Sequence, residues 1–194
     1  MIYRNGGKRL LDLSLGLFAL AFFALPILLA IFAIKLSSPG PALFFQTRVG
    51  HKGQAFRIYK LRTMTVDPSR RSTVQVGKND PGVFAVGRFL RRFKIDEMPQ
   101  IFNVVRGDMS FVGPRPCLEK TRDRMPDWAW QRFGLRPGIT GLAQTNGNVA
   151  LSWEKRWEHD IQYVERLSFP LDVWLVLKTL LVIILGEEKF GKTL

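Results

Sequence analysis

The chain has one cysteine, Cys117, and only two histidines, His51 and His159. A single thiol cannot close an intramolecular disulfide. With 15 Phe and 5 Trp the chain has core material enough without one, which fits a reducing, cytosolic side. Neither CxxC nor HExxH occurs, so a zinc centre is not expected. The usual phosphate-cradling loops, GxxxxGKS or GxxxxGKT and GxGxxG, are missing too. Acidic residues are scarce: 16 Asp and Glu face 29 Lys and Arg, a net charge of +13. That balance points to a polyanionic partner, either nucleic acid, anionic headgroups or phosphorylated substrates. No nucleic-acid-binding motif is recognisable, so no nucleic-acid partner is expected.

What the chain does contain is one long apolar run. Leu13–Ile34 holds 22 residues without a charge, interrupted at Pro26, with Lys8 and Arg9 before it and Lys35 after it. About 20 apolar residues in helix cross a hydrocarbon core of about 30 Å. Three readings compete. A cleaved secretory signal has a shorter apolar region, about 7–15 residues, and the end of this run offers no convincing cleavage site. A single span would put basic flanks on both sides, Arg4, Lys8 and Arg9 against Lys35, Arg48 and Lys52, against the positive-inside bias. A re-entrant helix that bends at Pro26 and leaves by the face it entered satisfies both flanks, because proline removes a donor and clashes with the carbonyl four residues back. Flank charge alone leaves the spanning and re-entrant readings open. Residues 1–36 are taken as the membrane segment and 37–194 as the domain that follows.

Two β-type runs, Leu43–Val49 and Ala55–Lys60, flank the Gly-bounded stretch 50–53 and predict a hairpin. Residues 65–82 are rich in turn formers and predict a long functional or mobile loop. Helical spacing follows over Val83–Phe93. A second helix is predicted from an Asp96 N-cap to Gly107. Residues 110–116 are predicted extended, 117–133 helical, and 136–141 a rigid turn. Residues 152–166 predict an amphipathic helix, and Phe169–Leu185 a core or interfacial helix.

The candidate chemistry centres on Asp96 and Glu97, which follow the cations Arg91, Arg92 and Lys94. At a helix start Asp96 would stay ionised, and an ionised carboxylate can attack phosphorus. Glu97 can hold Mg²⁺, which binds through one or two carboxylates plus substrate phosphates. The plainer reading, a helix cap with a first-turn Glu, remains open. Arg115, held between Pro114 and Pro116, suits bidentate phosphate binding, or is a surface Arg in a rigid connector. Lys60 and Arg62 can add cations for phosphate or nucleotide.

Taken together the motifs resemble the bacterial sugar transferase family, the small monotopic phosphoglycosyltransferases. The resemblance runs from Lys8-Arg9-Leu10-Leu11-Asp12 through Phe45–Gly50, Phe56–Met64, Ile95-Asp96-Glu97-Met98-Pro99-Gln100, Phe102–Ser110 and Phe111-Val112-Gly113-Pro114-Arg115-Pro116 to Arg136–Gly141. It implies transfer of a phosphosugar from a UDP-sugar to a polyprenol phosphate such as undecaprenyl phosphate, with release of UMP. By the same resemblance Asp96 is the nucleophile of a covalent intermediate and Glu97 the Mg²⁺ ligand. Arg91 and Arg115 match phosphate- or nucleotide-contacting positions, and the membrane helix is re-entrant at Pro26. The implied fold is α+β and mainly helical. It comprises the re-entrant helix, a small β-hairpin and a cytosolic helical catalytic domain with interfacial amphipathic helices, lying on the cytoplasmic face of the bacterial inner membrane. Phospholipid is then a partner; a homodimer is left open. Two positions depart from the pattern. Leu25 precedes Pro26 where the family often has Ser, and Asn148 stands where it usually has Arg, so that cation is absent or comes from Arg62 or Lys155. These departures motivate an alternative, a catalytically silent membrane scaffold of a glycan-assembly complex.

Overall fold

The computed structural model describes residues 2–66, 80–186 and 190. After a π-type turn at Tyr3–Gly7, helix α1 runs over Lys8–Ser37, with Pro26 inside it. Thirty residues make about 45 Å of helix. The segment Tyr3–Ser37 is long and apolar enough to cross a membrane.

Burial along α1 is confined to its two ends. Asp12 and Gly16 are buried near the start, Ala30 and Ile34 near the finish, and no residue from 17 to 29 is buried. At the start, Arg9 donates to the Val104 and Val105 carbonyls, and the Phe111 amide donates to Asp12. Lys8 pairs with Asp172, which also accepts from the Tyr3 and Tyr163 hydroxyls. At the finish, Ala30 and Ile34 join Ala42, Leu61 and Leu90 in one apolar cluster. Fully burying a side chain such as Ile34 contributes roughly 1.5–3 kcal/mol. Both ends of α1 are therefore gripped by the same body.

Strands β1 (Leu43–Val49) and β2 (Ala55–Leu61) form the antiparallel hairpin, in the register Phe44↔Lys60 and Arg48↔Phe56. The ends of the polar loop are pinned by a Met64–Val83 bridge and by the Thr65 amide on the Gly82 carbonyl. The rest of that predicted loop, 67–79, lies outside the described residues.

Helix α2 (Ala85–Arg92) lies hard against the chain at Thr63. A Cβ on Gly87 would sit 2.1 Å from the Thr63 carbonyl oxygen, so only glycine allows that approach. A 3₁₀ turn, Ile95–Glu97, and helix α3 (Gln100–Arg106) follow. Gly107, at φ 93°, ends α3 as predicted. The predicted Asp96 cap is corrected. Lys94, at φ 57°, turns the chain, Asp96 sits inside the 3₁₀ turn, and Pro99 starts α3.

Strands β3 (Ser110–Val112) and β4 (Gly138–Thr140) pair in parallel, so the predicted rigid turn at 136–141 contains a strand. Their backbones nearly touch: a Cβ on Gly138 would lie 2.1 Å from the Gly113 nitrogen. The helix predicted over 117–133 is also corrected. It is a four-residue α4 (Glu119–Arg122) and 3₁₀ turns over Asp127–Gly134, parted by Pro126, which has no amide hydrogen to donate. Helices α5 (Leu142–Thr145), α6 (Trp153–Arg166) and α7 (Phe169–Leu185) complete a mainly helical fold with two small sheets. Ser152 caps α6 by accepting from the Lys155 amide.

Candidate active site

The site forms where β2, the 3₁₀ turn after α2 and the segment after β3 converge. Lys60 points from β2 and its Nζ lies 2.6 Å from Glu97 Oε1. Arg115, from the Pro114-Arg115-Pro116 connector, donates to the same oxygen at 2.9 Å. Asp96 and Glu97 are both buried. No described residue donates a hydrogen bond to the Asp96 carboxylate. Arg91 is aimed by α2, its Nε donating to Thr63 Oγ1 at 2.8 Å.

The two neighbouring carboxyls are driven apart. Burial, then the charge on Glu97, pushes Asp96 up to about 6, against the pull of Lys60, Lys94 and Arg91. Burial also acts on Glu97, but Arg115, Lys60 and Lys94 outweigh it and hold that carboxyl well below the ordinary range. At neutral pH both are mainly ionised, and Asp96 is the more basic. Asp96 is thus kept charged by side-chain cations rather than by a helix dipole, a three-residue turn having little dipole to offer.

The structure brings Asp96, Glu97, Lys60, Arg91 and Arg115 into one neighbourhood. Arg62 belongs elsewhere. Its buried guanidinium donates to the Pro41, Ser38 and Met64 carbonyls and the Ser38 hydroxyl, tying the end of α1 to β2. Lys155 pairs with Glu158 on the exposed side of α6.

Three cations near the site carry no local signal in the sequence. Arg48, on the hairpin face that bears Lys60, donates to Gln46, and burial and then Arg115 lower its pKa to about 10. Arg132 donates to the Arg115 carbonyl at 2.6 Å and is paired in the interior with Asp160 at 2.7 Å. Arg156 donates to the Val149 and Leu151 carbonyls, and its pKa falls through burial and then the charge of Arg115. It therefore brings a cation from α6 to the neighbourhood of Asn148, which turns at φ 44°.

Adjacent carboxylates suit a divalent cation whose shell is completed by substrate phosphates. No cluster of three or more His, Cys, Asp or Glu occurs among the described residues, so no all-protein metal cage is built there.

The sequence model of the family described as bacterial sugar transferase matches residues 3–186. A UDP-glucose:undecaprenyl-phosphate glucose-1-phosphate transferase of Caulobacter vibrioides is 45% identical over 181 residues, covering 89% of this chain and 67% of its own length. The uncharacterized sugar transferase EpsL of Bacillus subtilis is 39% identical, covering 93% and 88%. A UDP-N-acetylgalactosamine-undecaprenyl-phosphate N-acetylgalactosaminephosphotransferase of Aeromonas hydrophila is 39% identical over 92% of the chain, which spans 44% of that protein. With a family match over nearly its whole length, the chain belongs to the bacterial sugar transferases.

Proposed function

We propose that the chain moves a sugar phosphate from a UDP-sugar to a polyprenol phosphate in two displacements. In the first, an Asp96 carboxylate oxygen attacks the phosphorus that bears the sugar. A new carboxyl–phosphorus bond forms, the bridging phosphorus–oxygen bond breaks, and UMP leaves with that oxygen. In the second, a terminal oxygen of the polyprenol phosphate attacks the same phosphorus, giving polyprenyl diphosphosugar and returning the carboxylate. The named activities of the relatives support these substrate classes. The observation that carries the assignment is the split pair: Glu97 takes both close cations while the more basic Asp96 has no described hydrogen-bond donor. Arg115, Arg91 and Lys60 bind and orient phosphate oxygens. Mg²⁺ held by Glu97 and the diphosphate would neutralise phosphate charge. The test is UMP release from a panel of UDP-sugars before any acceptor is added. Release of about one equivalent per enzyme supports two displacements, and none from any sugar nucleotide, with or without acceptor, favours the silent scaffold.

The attacking group is the charged form. The kcat/KM for UDP-sugar therefore rises with pH through about 6, and at pH 5 roughly a tenth of the carboxylates are ionised, a loss of about tenfold. A flat profile from pH 5 to 8 would place the nucleophile elsewhere.

The re-entrant reading is supported by the burial of α1 at both ends against one body, with its apolar middle and Pro26 left out. It puts both termini of α1 on the cytoplasmic face. A membrane-impermeant maleimide should label Asn5→Cys and Ser37→Cys only after cells are opened. Labelling of either from outside intact spheroplasts would contradict this topology.

A further inference from the structure

We propose that the face of α2 carrying Phe89 and Phe93 seats the first isoprene units of the lipid acceptor. This rests on the acceptor class given above and adds where the tail lies.

Two sides of α2 are already used. Gly87 and Arg91 face Thr63, while Val86 and Leu90 pack on the cluster formed with Ala30 and Ile34 of α1. What remains exposed carries Arg88, Arg92 and an aromatic pair one turn apart, with ring centroids 4.9 Å from each other and the Arg92 guanidinium 5.6 Å from the Phe93 ring. Phe89 is 57% exposed and Phe93 is 44% exposed. On one flank lies the membrane helix α1. On the other lies the end of α7, because Arg92 donates to the Ile183 and Ile184 carbonyls there. Ile184 is itself exposed, as are Leu28, Leu29 and Phe32 of α1.

The chain leads from this face to the chemistry. The chain turns at Lys94 directly after Phe93 and reaches Asp96 two residues later. Lys94, Arg91 and Lys60 all act electrostatically on Asp96. An occupant that is hydrocarbon along Phe89 and Phe93 and anionic beyond them matches both parts of the surface. A polyprenol phosphate meets this description, and its terminal phosphate must come to Asp96. A bulk phospholipid has its phosphate esterified on both sides and has no need to reach that carboxylate.

The experiment uses the full chain in nanodiscs and separates the half-reactions. Phe89→Ala/Phe93→Ala should form the sugar-phosphate adduct from UDP-sugar as the unsubstituted protein does. Its KM for undecaprenyl phosphate should rise by about tenfold or more, and Phe89→Leu/Phe93→Leu should restore most of it. Trp174→Ala, on the exposed side of α7, should leave that KM unchanged. Two results would overturn the inference alone: loss of adduct formation in the double variant, or an unchanged KM, which with weaker binding to phospholipid vesicles means that bulk lipid covers the face and with conversion of a dimer to a monomer means that a second copy covers it. Failure of the unsubstituted protein to form an adduct with any UDP-sugar would remove the two-step reading and this inference with it.

Discussion

Asp96→Asn should lower UMP release by about 10³-fold or more, because an amide is no nucleophile toward phosphorus and removal of the attacking group costs orders of magnitude. The loss should fall on the chemical step. Asn keeps the shape of Asp, and no described residue donates a hydrogen bond to the native carboxylate, so the variant should fold. Its melting temperature should not drop, since the substitution removes a charge buried beside Glu97. UDP-sugar should still bind, because Lys60, Arg91 and Arg115 are untouched. Glu97→Gln makes the contrast: it weakens the anchor shared by Lys60 and Arg115 and should impair binding as well as turnover. A fully active Asp96→Asn enzyme would end the assignment.

Arg132→Met should have the largest effect on stability. Arg132 and Asp160 are both buried, and burial drives the Asp160 carboxyl above its ordinary range in spite of Arg132 beside it. Removing one partner of a buried pair costs about 3–5 kcal/mol, because the other is left uncompensated. In a chain of this size that lowers Tm by roughly 6–20 °C. Activity should fall further than stability alone explains, by roughly tenfold to a hundredfold, since Arg132 also holds the Arg115 carbonyl and a misplaced phosphate contact is costly. Arg132→Met/Asp160→Leu should recover most of the melting temperature and not the activity. Thermal melts and UMP release at a temperature where both variants are folded would show this. Full recovery of activity in the double variant would mean that Arg132 does not position Arg115.

Legibility in the sequence followed the range of the interaction that decides each element. The hairpin was readable because its turn is bounded by Gly50 and Gly53 and its strands are β-rich. Helix α7 is readable to its ends from its apolar run, and the structure places Pro170 in its first turn and Gly186 past its last. Asp96 followed closely by Pro99 imitates a helix start, whereas the left-handed Lys94 that sets the turn has no strong local signature. The 117–133 stretch has helix-like aromatic spacing, and Pro126 overrides it. Strands of three residues, β3 and β4, are too short to announce themselves, and their parallel pairing joins segments 28 positions apart. At the site, Asp96, Glu97 and Arg115 stood out through their neighbours in the chain. Arg48, Arg132 and Arg156 did not, because what gives them meaning is reached only by folding. Arg62 shows the converse: a basic residue beside the motif that the fold spends on the end of α1.

The most direct test is the mass of the enzyme itself. After incubation with its UDP-sugar and no acceptor, the intact protein should gain one sugar phosphate, and peptide mapping should place it on Asp96. The label should vanish on addition of polyprenol phosphate, with polyprenyl diphosphosugar appearing in its stead. A label on another residue, or UMP released only when both substrates are present with no labelled protein at any time, would contradict attack by this carboxylate.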